Sequence, residues 1–358
     1  MTQTARLIVA LPKRDSDLYY ACRFTAPDPV IYLEHHGKKY LFLSPLEIGR
    51  GKSQAKVDQV LPIPAGHKTL TDRLVAILAD RKIRSLSVPI TMPCALVDSL
   101  RRKKIKITPG EHPFYPERFF KTAAEKKEML KAQKAVFQAM RLAEQILSAT
   151  QIRKKTLYWK EKILTSEELR YQISCLLLQQ GYNPLDPIVA CGAQSADPHD
   201  VGSGPLKAHQ PIIVDIFPRS QTTLYYGDAT RTFCRGKAPP ALVRQYNAVK
   251  KAQEWALKNI RAEINGRTIH EGIHKIFREA GFPTGFIHGT GHGLGLELHE
   301  EPLRISGGDY ILKAGHVVTV EPGLYYRPLG GVRIEDAVYV TKTGADILGY
   351  YPKRLEIL

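Results

Sequence analysis

The proline-rich segment "ITPGEHPFYPERFF" at residues 107–120 most constrains how this chain can fold, because the hydrophobic pattern differs on its two sides. Before this segment, short apolar runs alternate with turn clusters. That pattern predicts a first strand at residues 7–11, a hairpin that turns near Gly37 and an amphipathic helix at residues 70–82. After the segment, longer helices alternate with strands, so we place a domain boundary within it.

The length of the chain also favours two domains, because 358 residues exceed what a single hydrophobic core usually accommodates. We predict a smaller α/β domain at residues 1–118 and a larger α+β domain at residues 119–358. No apolar run is long enough to span a bilayer, and we expect no membrane segment. The five cysteines are scattered and form no Cys-x-x-Cys motif, which predicts free thiols in a reducing cytoplasm.

Four helices and four strands are predicted in the larger domain. Three threonine–glutamate pairs have the spacing of capping boxes that begin helices: Thr122 with Glu125, Thr165 with Glu168, and Thr268 with Glu271. A further helix is predicted at residues 240–265. The predicted strands are "QPIIVDIF", "LYYGDATRTF", "HVVTVEP" and "GVRIEDAVYV".

The charge balance is strongly basic, since 52 Lys and Arg face 35 Asp and Glu for a net charge of +17. The stretch "RRKKIK" at residues 101–106 could attract nucleic acid. No aromatic residues interleave with a basic motif, so a solvated basic face explains the charge better. We do not expect nucleic acid to be a partner.

The stretch "TIHEGIHKIF" at residues 268–277 contains His-Glu-x-x-His, which zinc proteases use to bind their metal. The extended form of the motif fails, because Phe277 and Ala280 stand where Gly and a third His would follow. Gly272 also weakens the helix that would have to hold both histidines. We interpret Glu271 as a helix cap, and His270 and His274 as a solvated face.

A dispersed set of carboxylates competes with that motif. Asp215 and Asp228 lie in neighbouring apolar strands, and a hairpin centred near Gln221 and Thr222 would place them opposite each other on one face. Two adjacent buried carboxylates repel each other unless a cation lies between them. This pair therefore points to a metal.

Two further carboxylates follow downstream. Glu321 ends the predicted strand of "VVTVEP", and Glu335 is predicted inside "GVRIEDAVYV" with Arg333 on the same face. The glycine-rich stretch "FIHGTGHGLGLELHEEP" presents several imidazoles nearby. Four carboxylates and one imidazole suit two divalent ions, Mn with Co or Zn as alternatives, and the implied chemistry is attack of a metal-bound hydroxide on a carbonyl.

These motifs resemble the pita-bread metallopeptidases, the group that includes aminopeptidase P, prolidase, methionine aminopeptidase and the metal-free creatinase. The resemblance rests on "VDIF", "YYGDATRTF", "HGTGHGLGLELHEEP", "VEPGLYY" and "GVRIEDAVYV", and it covers residues 120–358. The first domain is similar in length and coarse pattern to the creatinase-like domain of the Xaa-Pro enzymes. Its presence argues against methionine aminopeptidase.

The resemblance implies a role for each matching residue. It implies five metal ligands, of which Asp228 and Glu335 bridge the two ions: Asp215, Asp228, His292, Glu321 and Glu335. Glu321 would also be the general base. The remaining matches are residues of the catalytic and substrate pocket, namely His299, which would steady the tetrahedral intermediate, His288, His199, Arg333 and Tyr325.

Two departures from the family pattern bear on specificity. Phe217 stands where the family usually has the Gly of Asp-x-Gly. Leu303 stands where prolidases commonly have an Arg that binds the carboxylate of a dipeptide, and Arg304 follows one position later.

We therefore predict a cytoplasmic, homodimeric exopeptidase with two metal ions that cleaves peptides with proline at the second position. The alternatives are an Xaa-Pro dipeptidase, a metal-free creatinase-like hydrolase and a basic interaction module on the same fold.

Overall fold

The computed structural model describes residues 4–302, 305–306, 308–327 and 329–358. The chain divides into two compact units, Met1–Arg118 and Phe119–Leu358. Within the described residues, no helix is both long enough and apolar enough to cross a membrane.

The N-terminal unit is built around one mixed sheet. Its strands lie in the order β4-β3-β2-β1-β5-β6 and span β1 Ala5–Ala10, β2 Val30–His35, β3 Lys38–Leu43, β4 Gln59–Pro62, β5 Ser85–Val88 and β6 Lys106–Pro109. Four helices accompany them: α1 Ser16–Cys22, α2 Ile48–Gln54, α3 Leu70–Asp80 and α4 Cys94–Arg102. The predicted first strand, the hairpin near Gly37 and the helix at residues 70–82 are confirmed as β1, β2–β3 and α3.

Alternation along β1 explains why this sheet is covered on both faces. Leu7 and Val9 join the hydrophobic cluster that includes Leu74 of α3, whereas Ile8 joins the cluster that includes Leu18 of α1. Side chains of a strand point alternately to opposite faces, so a strand with apolar residues at successive positions needs a layer on each side. The N-terminal unit therefore has the predicted α/β character.

The C-terminal unit contains four long helices and several small sheets. The helices are α5 Ala123–Ser148, α6 Ser166–Gln179, α7 Pro240–Asn259 and α8 Gly266–Glu279. The strands are β7 Gln151–Arg153, β8 Thr156–Trp159, β9 Lys162–Ile163, β10 Tyr182–Asn183, β11 Ile188–Cys191, β12 Ile212–Ile216, β13 Arg219–Ser220, β14 Ala229–Arg235, β15 Val317–Val320, β16 Gly323–Tyr326, β17 Gly330–Arg333, β18 Asp336–Val340, β19 Ala345–Ile347 and β20 Glu356–Ile357. Short 3-10 helices lie at Pro116–Phe119 and Gly192–Ala196.

Helix starts follow the local sequence in two of the three predicted cases. Thr122 and Glu125 form the full capping box of α5, and the Thr165 side chain accepts a hydrogen bond at the start of α6. The predicted box at Thr268 is wrong. Asn265 caps α8 instead, because its side chain accepts from the backbone N–H of Arg267 at 2.9 Å.

The predicted helix at residues 240–265 is also shorter than expected, since α7 ends at Asn259. Ile260 adopts an extended conformation, and the backbone N–H of Ala262 bonds the carbonyl of Thr341 rather than continuing the helix. Tertiary pairing with another segment therefore ends α7 where the helical pattern alone gave no stop signal.

Helices and functional side chains occupy opposite faces of the strands. In β12, Val214 and Ile216 join the cluster that contains α5 and α6, whereas Ile213 packs with Tyr325 on the other face. Asp215 has the same parity as Ile213, so alternation directs its carboxylate away from the helices. This face carries the candidate site.

Candidate metal centre

Asp215 lies within β12, whereas Asp228, which was predicted inside a strand, directly precedes the adjacent antiparallel strand β14. Asp215 pairs with Thr230 of β14, so the predicted register, with Asp228 directly opposite, is wrong by two residues. The connection is not a simple hairpin, because β13 leaves it to pair with β10. An offset of two residues preserves the face, and Asp228 still lies on the same side as Asp215, diagonally across the ladder.

The two glutamates follow strand ends. Glu321 was predicted to end a strand and lies directly after β15, one residue beyond the strand end. Glu335 was predicted inside a strand but lies in the two-residue break between β17 and β18. Its backbone N–H donates to the carbonyl of Thr230 at 3.0 Å, and its Oε2 accepts from the Thr230 hydroxyl at 2.7 Å. These contacts fix both ends of the residue against β14.

His292 is held beside β15 by backbone pairing. Its carbonyl accepts from the N–H of Thr319 at 2.8 Å, and its own N–H donates to the Thr319 hydroxyl at 3.1 Å. Gly291 permits this approach, since a Cβ there would lie 1.9 Å from the Thr319 carbonyl oxygen. The Nδ1 of His292 lies 3.1 Å from the Gly293 carbonyl, so Nδ1 carries the proton and Nε2 presents its lone pair.

Three of these side chains converge tightly. Asp228, His292 and Glu335 each offer one potential ligand atom within 4.8 Å of the others, and all three residues are buried. The Nε2 of His292 also lies 3.5 Å from Glu321 Oε1. Asp215 Oδ1 is buried and has no hydrogen-bond partner among the described residues. The five predicted ligands therefore lie in one place.

The electrostatics of this cluster are unfavourable without a cation. Burial, followed by the charge of Glu335, holds the pKa of Asp228 well above its usual range. Burial, followed by the charge of Glu321, does the same to the pKa of Glu335, and burial also raises the pKa of Glu321. Among the described residues that line the site, Arg333 is the only Lys or Arg beside these four carboxylates, so the described cluster carries excess negative charge.

The donor set fits divalent metal ions. Carboxylate oxygens with one imidazole nitrogen suit hard to borderline cations, and the buried, unsatisfied Asp215 Oδ1 leaves an acceptor for one. Burial lowers the pKa of His292, so the imidazole is neutral and able to coordinate at neutral pH.

Arg333 organises the side of the cluster that faces Asp215. Its guanidinium donates to Asp215 Oδ2 at 2.7 Å, to the Tyr325 hydroxyl at 2.9 Å and to the Thr230 hydroxyl at 3.2 Å. The Tyr325 hydroxyl lies 2.8 Å from His288 Nε2. A continuous hydrogen-bond network thus joins the aspartate to the pocket histidine.

The cluster lies at the base of a cavity of about 960 Å³. The predicted pocket histidines all line this cavity: His199, His288 and His299. The ring of His299 contacts that of His292 edge to face, with centroids 4.2 Å apart. Apolar side chains, including Phe217 and the exposed Ile287, complete the wall. Leu303 and Arg304 lie outside the described residues.

The interpretation of His270 and His274 as a solvated face is wrong. Both are half-buried, their rings pack against Phe286 with centroids 5.0 Å away, and His270 lines the cavity. Glu271 is exposed and does not cap the helix.

Sequence reasoning missed two supporting residues. The side-chain amide of Gln133 in α5 donates to the carbonyl of Asp228 and accepts from its N–H, each at 3.0 Å. Thr230 contacts both Glu335 and Arg333. Thr230 could have been found, because it lies two residues after Asp228 and therefore shares its parity along the predicted strand. Gln133 gave no such signal.

Comparison with known proteins identifies a family that this chain matches. Residues 127–342 match the sequence model of metallopeptidase family M24. The chain is 36% identical over 161 residues to an Xaa-Pro dipeptidase of Pyrococcus furiosus, a match that covers 45% of this chain and 46% of that protein. The chain spans about half the length of the curated relatives it matches.

Solved structures match nearly the whole chain. A prolidase from Pyrococcus horikoshii superposes with a TM-score of 0.83 and 26% identity, covering 98% of this chain and 95% of that one. An X-Pro aminopeptidase from Thermotoga maritima gives a TM-score of 0.86 at 24% identity, covering 99% and 97%. The predicted fold, a pita-bread domain preceded by a creatinase-like α/β domain, is thereby confirmed.

The family match covers more than half of the sequence, so this chain belongs to metallopeptidase family M24. The predicted resemblance is confirmed. Family membership implies divalent metal ions, for which Asp228, His292 and Glu335 form a possible site.

Proposed function

We propose that this chain is a metal-dependent exopeptidase that hydrolyses the Xaa-Pro bond at the N-terminus of peptides. The observation that carries the proposal is the convergence of Asp228, His292 and Glu335 at the base of an open cavity. Relatives and solved structures named as Xaa-Pro dipeptidase, prolidase and X-Pro aminopeptidase support the same reaction class.

The metal content that best fits the cluster is two ions, with Mn²⁺ preferred over Co²⁺ or Zn²⁺. Oxygen ligands dominate the set, and the negative charge of four carboxylates would balance the positive charge of about two divalent ions. We assign Asp215, Asp228, His292, Glu321 and Glu335 as the ligands. When bound, such ions lower the pKa of water and polarise the carbonyl under attack.

The protein supplies the proton transfers and the orientation of the substrate. Glu321 has a raised pKa, caused chiefly by burial, which suits a carboxylate that accepts a proton from water and returns it to the leaving amine. His288 lines the same cavity, and its two ring nitrogens are held by the Gly289 carbonyl and the Tyr325 hydroxyl, so we assign it to the wall of the catalytic pocket. His299, beside His292 in the cavity wall, is placed to steady developing negative charge. We assign His199, Arg333 and Tyr325 to substrate positioning.

The cavity supports peptides longer than two residues as substrates. Its volume lies near the upper end of the ~300–1,000 Å³ typical of small-molecule sites. Among its described lining residues, Arg333 is the only Lys or Arg, and its guanidinium is bonded to Asp215. The described part of this wall therefore offers no dedicated cation to the C-terminal carboxylate of a dipeptide. The alternative is an Xaa-Pro dipeptidase.

The test compares Xaa-Pro with Xaa-Pro-Yaa peptides on Mn²⁺-loaded protein. We expect cleavage of both, with the longer peptide preferred. Exclusive cleavage of dipeptides would favour the prolidase alternative. Metal analysis separates the other classes, because a metal-free creatinase-like hydrolase or a basic interaction module would bind no divalent ion and be insensitive to chelators.

Three further predictions remain part of this proposal. We propose that the two compact units are separate domains, that the protein is a homodimer and that it resides in the cytoplasm. The five free cysteines, all within the described residues, support a reducing compartment.

A further inference from the structure

A pair of histidines lies outside the carboxylate cluster and has no role in the proposed reaction. His270 and His274 are one turn apart on α8, and their Nε2 atoms approach to 3.1 Å. Residues four apart on a helix share one face, which explains the contact. Their rings are nearly perpendicular, with an interplanar angle of 83°.

We propose that His270 and His274 form a second metal site, separate from the carboxylate centre, which binds a zinc, nickel or copper(II) ion through both Nε2 atoms. A metal about 2.0–2.1 Å from each of two nitrogens 3.1 Å apart subtends an N–metal–N angle of about 100°. That angle lies between the octahedral and tetrahedral values. The observed spacing therefore needs little rearrangement to chelate one ion.

The surrounding residues hold the imidazoles in place. The Nδ1 of His270 lies 3.0 Å from the hydroxyl of Thr290, a buried residue whose carbonyl accepts from the N–H of Glu321. With Nδ1–H donating to that hydroxyl, the lone pair of His270 is on Nε2, which is the arrangement of metal-binding histidines. Phe286 packs against both rings and restricts their rotation.

Both imidazoles are also available to a metal at neutral pH. Burial, and then the neighbouring His274, lower the pKa of His270 to about 4. Burial, and then Arg278, lower the pKa of His274. A neutral imidazole coordinates without first losing a proton, so protons compete little for this pair.

The ligand chemistry separates this site from the carboxylate centre. Two imidazoles favour zinc, nickel or copper(II), whereas the oxygen-rich centre suits manganese. No third His, Cys, Asp or Glu joins the pair within the described part of the chain, so water would complete the coordination. We assign metal binding alone to this pair. A zinc-protease mechanism would need Glu271 to activate a water beside the metal, and Glu271 is exposed.

The experiment uses the full-length, Mn²⁺-loaded protein and one added equivalent of Cu²⁺. Electron paramagnetic resonance should show hyperfine coupling to two nitrogens, whereas copper in the carboxylate centre would couple to one, from His292. In His274→Gln the two-nitrogen signal should disappear, and equilibrium dialysis should count one fewer equivalent of Zn²⁺. His67→Gln changes a half-buried histidine of the N-terminal unit. This variant should retain both the two-nitrogen copper signal and the full number of zinc equivalents.

A one-nitrogen spectrum of the unmodified protein would overturn the proposal without any variant. The proposal would also be overturned if His274→Gln bound as many equivalents of Zn²⁺ as the unmodified protein, or if His67→Gln bound one equivalent fewer. Peptidase activity with Mn²⁺ does not report on the histidine pair. Absence of that activity would therefore count against the proposed peptidase function, and the copper and zinc measurements would still test the second metal site.

Discussion

The guanidinium of Arg333 donates to Asp215 Oδ2 at 2.7 Å, while the second oxygen of the same carboxylate, Oδ1, is buried without a hydrogen-bond partner among the described residues. The Asp215 carboxylate thus contacts a fixed cation through Oδ2 and keeps Oδ1 as a free acceptor among the described residues. The arrangement explains how an aspartate is retained in an apolar strand and still has an oxygen for a metal.

Arg333→Met should destabilise the protein strongly. The substitution leaves Asp215 buried without its cation, and breaking a buried ion pair on one side costs about 3–5 kcal/mol. Urea unfolding of the metal-free protein measures the change. Arg327→Met is the matched control, because Arg327 is exposed in the same region, and its effect should stay within about 0.5 kcal/mol. Equal losses in both variants would contradict the assignment.

Asp228→Asn should abolish activity and metal binding while sparing stability. We expect kcat/KM to fall by about 10³-fold or more, because the change removes a charge that acts at the reacting centre. In chelator, the variant should be at least as stable as the unmodified protein, since it loses a buried charge repelled by its neighbours. Metal analysis tests the predicted loss of metal binding, and urea unfolding in chelator tests the predicted stability. A clearly less stable metal-free variant would show that this carboxylate is not under repulsion.

Asp228 and Glu335 should contribute stability to the metal-free protein that is lost as pH rises. Folding raises the pKa values of Asp228 and Glu335 from ordinary values of 3.8 and 4.5, so the folded state holds protons that the unfolded chain releases. Their contribution is present at low pH and declines as pH increases above those values. The double variant Asp228→Asn/Glu335→Gln should lack this contribution, so its unfolding free energy in chelator should rise relative to that of the unmodified protein between pH 5 and pH 8. Identical pH slopes would refute the assigned charge repulsion.

Gly291→Ala should displace the metal-binding histidine. The added Cβ would lie 1.9 Å from the Thr319 carbonyl oxygen, so the pairing that holds His292 must shift. We expect a loss of about 3 kcal/mol of stability and at least ~10-fold in metal affinity. Gly308→Ala is the control, because its added Cβ would have no described heavy atom within 4 Å other than those of Gly308 and its chain neighbours. Isothermal titration with Mn²⁺ compares them, and unchanged affinity in Gly291→Ala would argue against the close approach.

His316 should make the protein sensitive to acid. Burial, and then Lys121 and Lys313, lower its pKa from 6.5 to about 4, and its ring stacks on Phe120 with centroids 4.9 Å apart. A lowered histidine pKa contributes stability that is present above pH 6.5 and lost as pH falls towards 4, by up to about 3 kcal/mol. His316→Asn can keep the acceptor for the N–H of Lys313 without titrating. As pH is lowered from 7 to 4.5, the unfolding free energy of His316→Asn should therefore rise relative to that of the unmodified protein, and a constant difference between the two proteins would exclude His316 as a cause.

The sequence by itself determined the chemistry of the candidate site and most of the local structure. Carboxylates in apolar strands are costly to bury, so Asp215 and Asp228 stood out without any coordinates. The alternation that places them on one face also survived the error in register, because an offset of two residues leaves the face unchanged. Local capping chemistry likewise located the start of α5 at Thr122.

Only the tertiary structure decided the distances and the partners. The register of β12 and β14 depended on β13 pairing with β10, and the surroundings of His270 and His274 depended on Phe286 and Thr290, which follow α8 in the chain. Gln133 lies 95 residues from the aspartate that it fixes. Contacts of this kind are set by how whole elements pack, whereas periodicity and capping report only the few residues around each position.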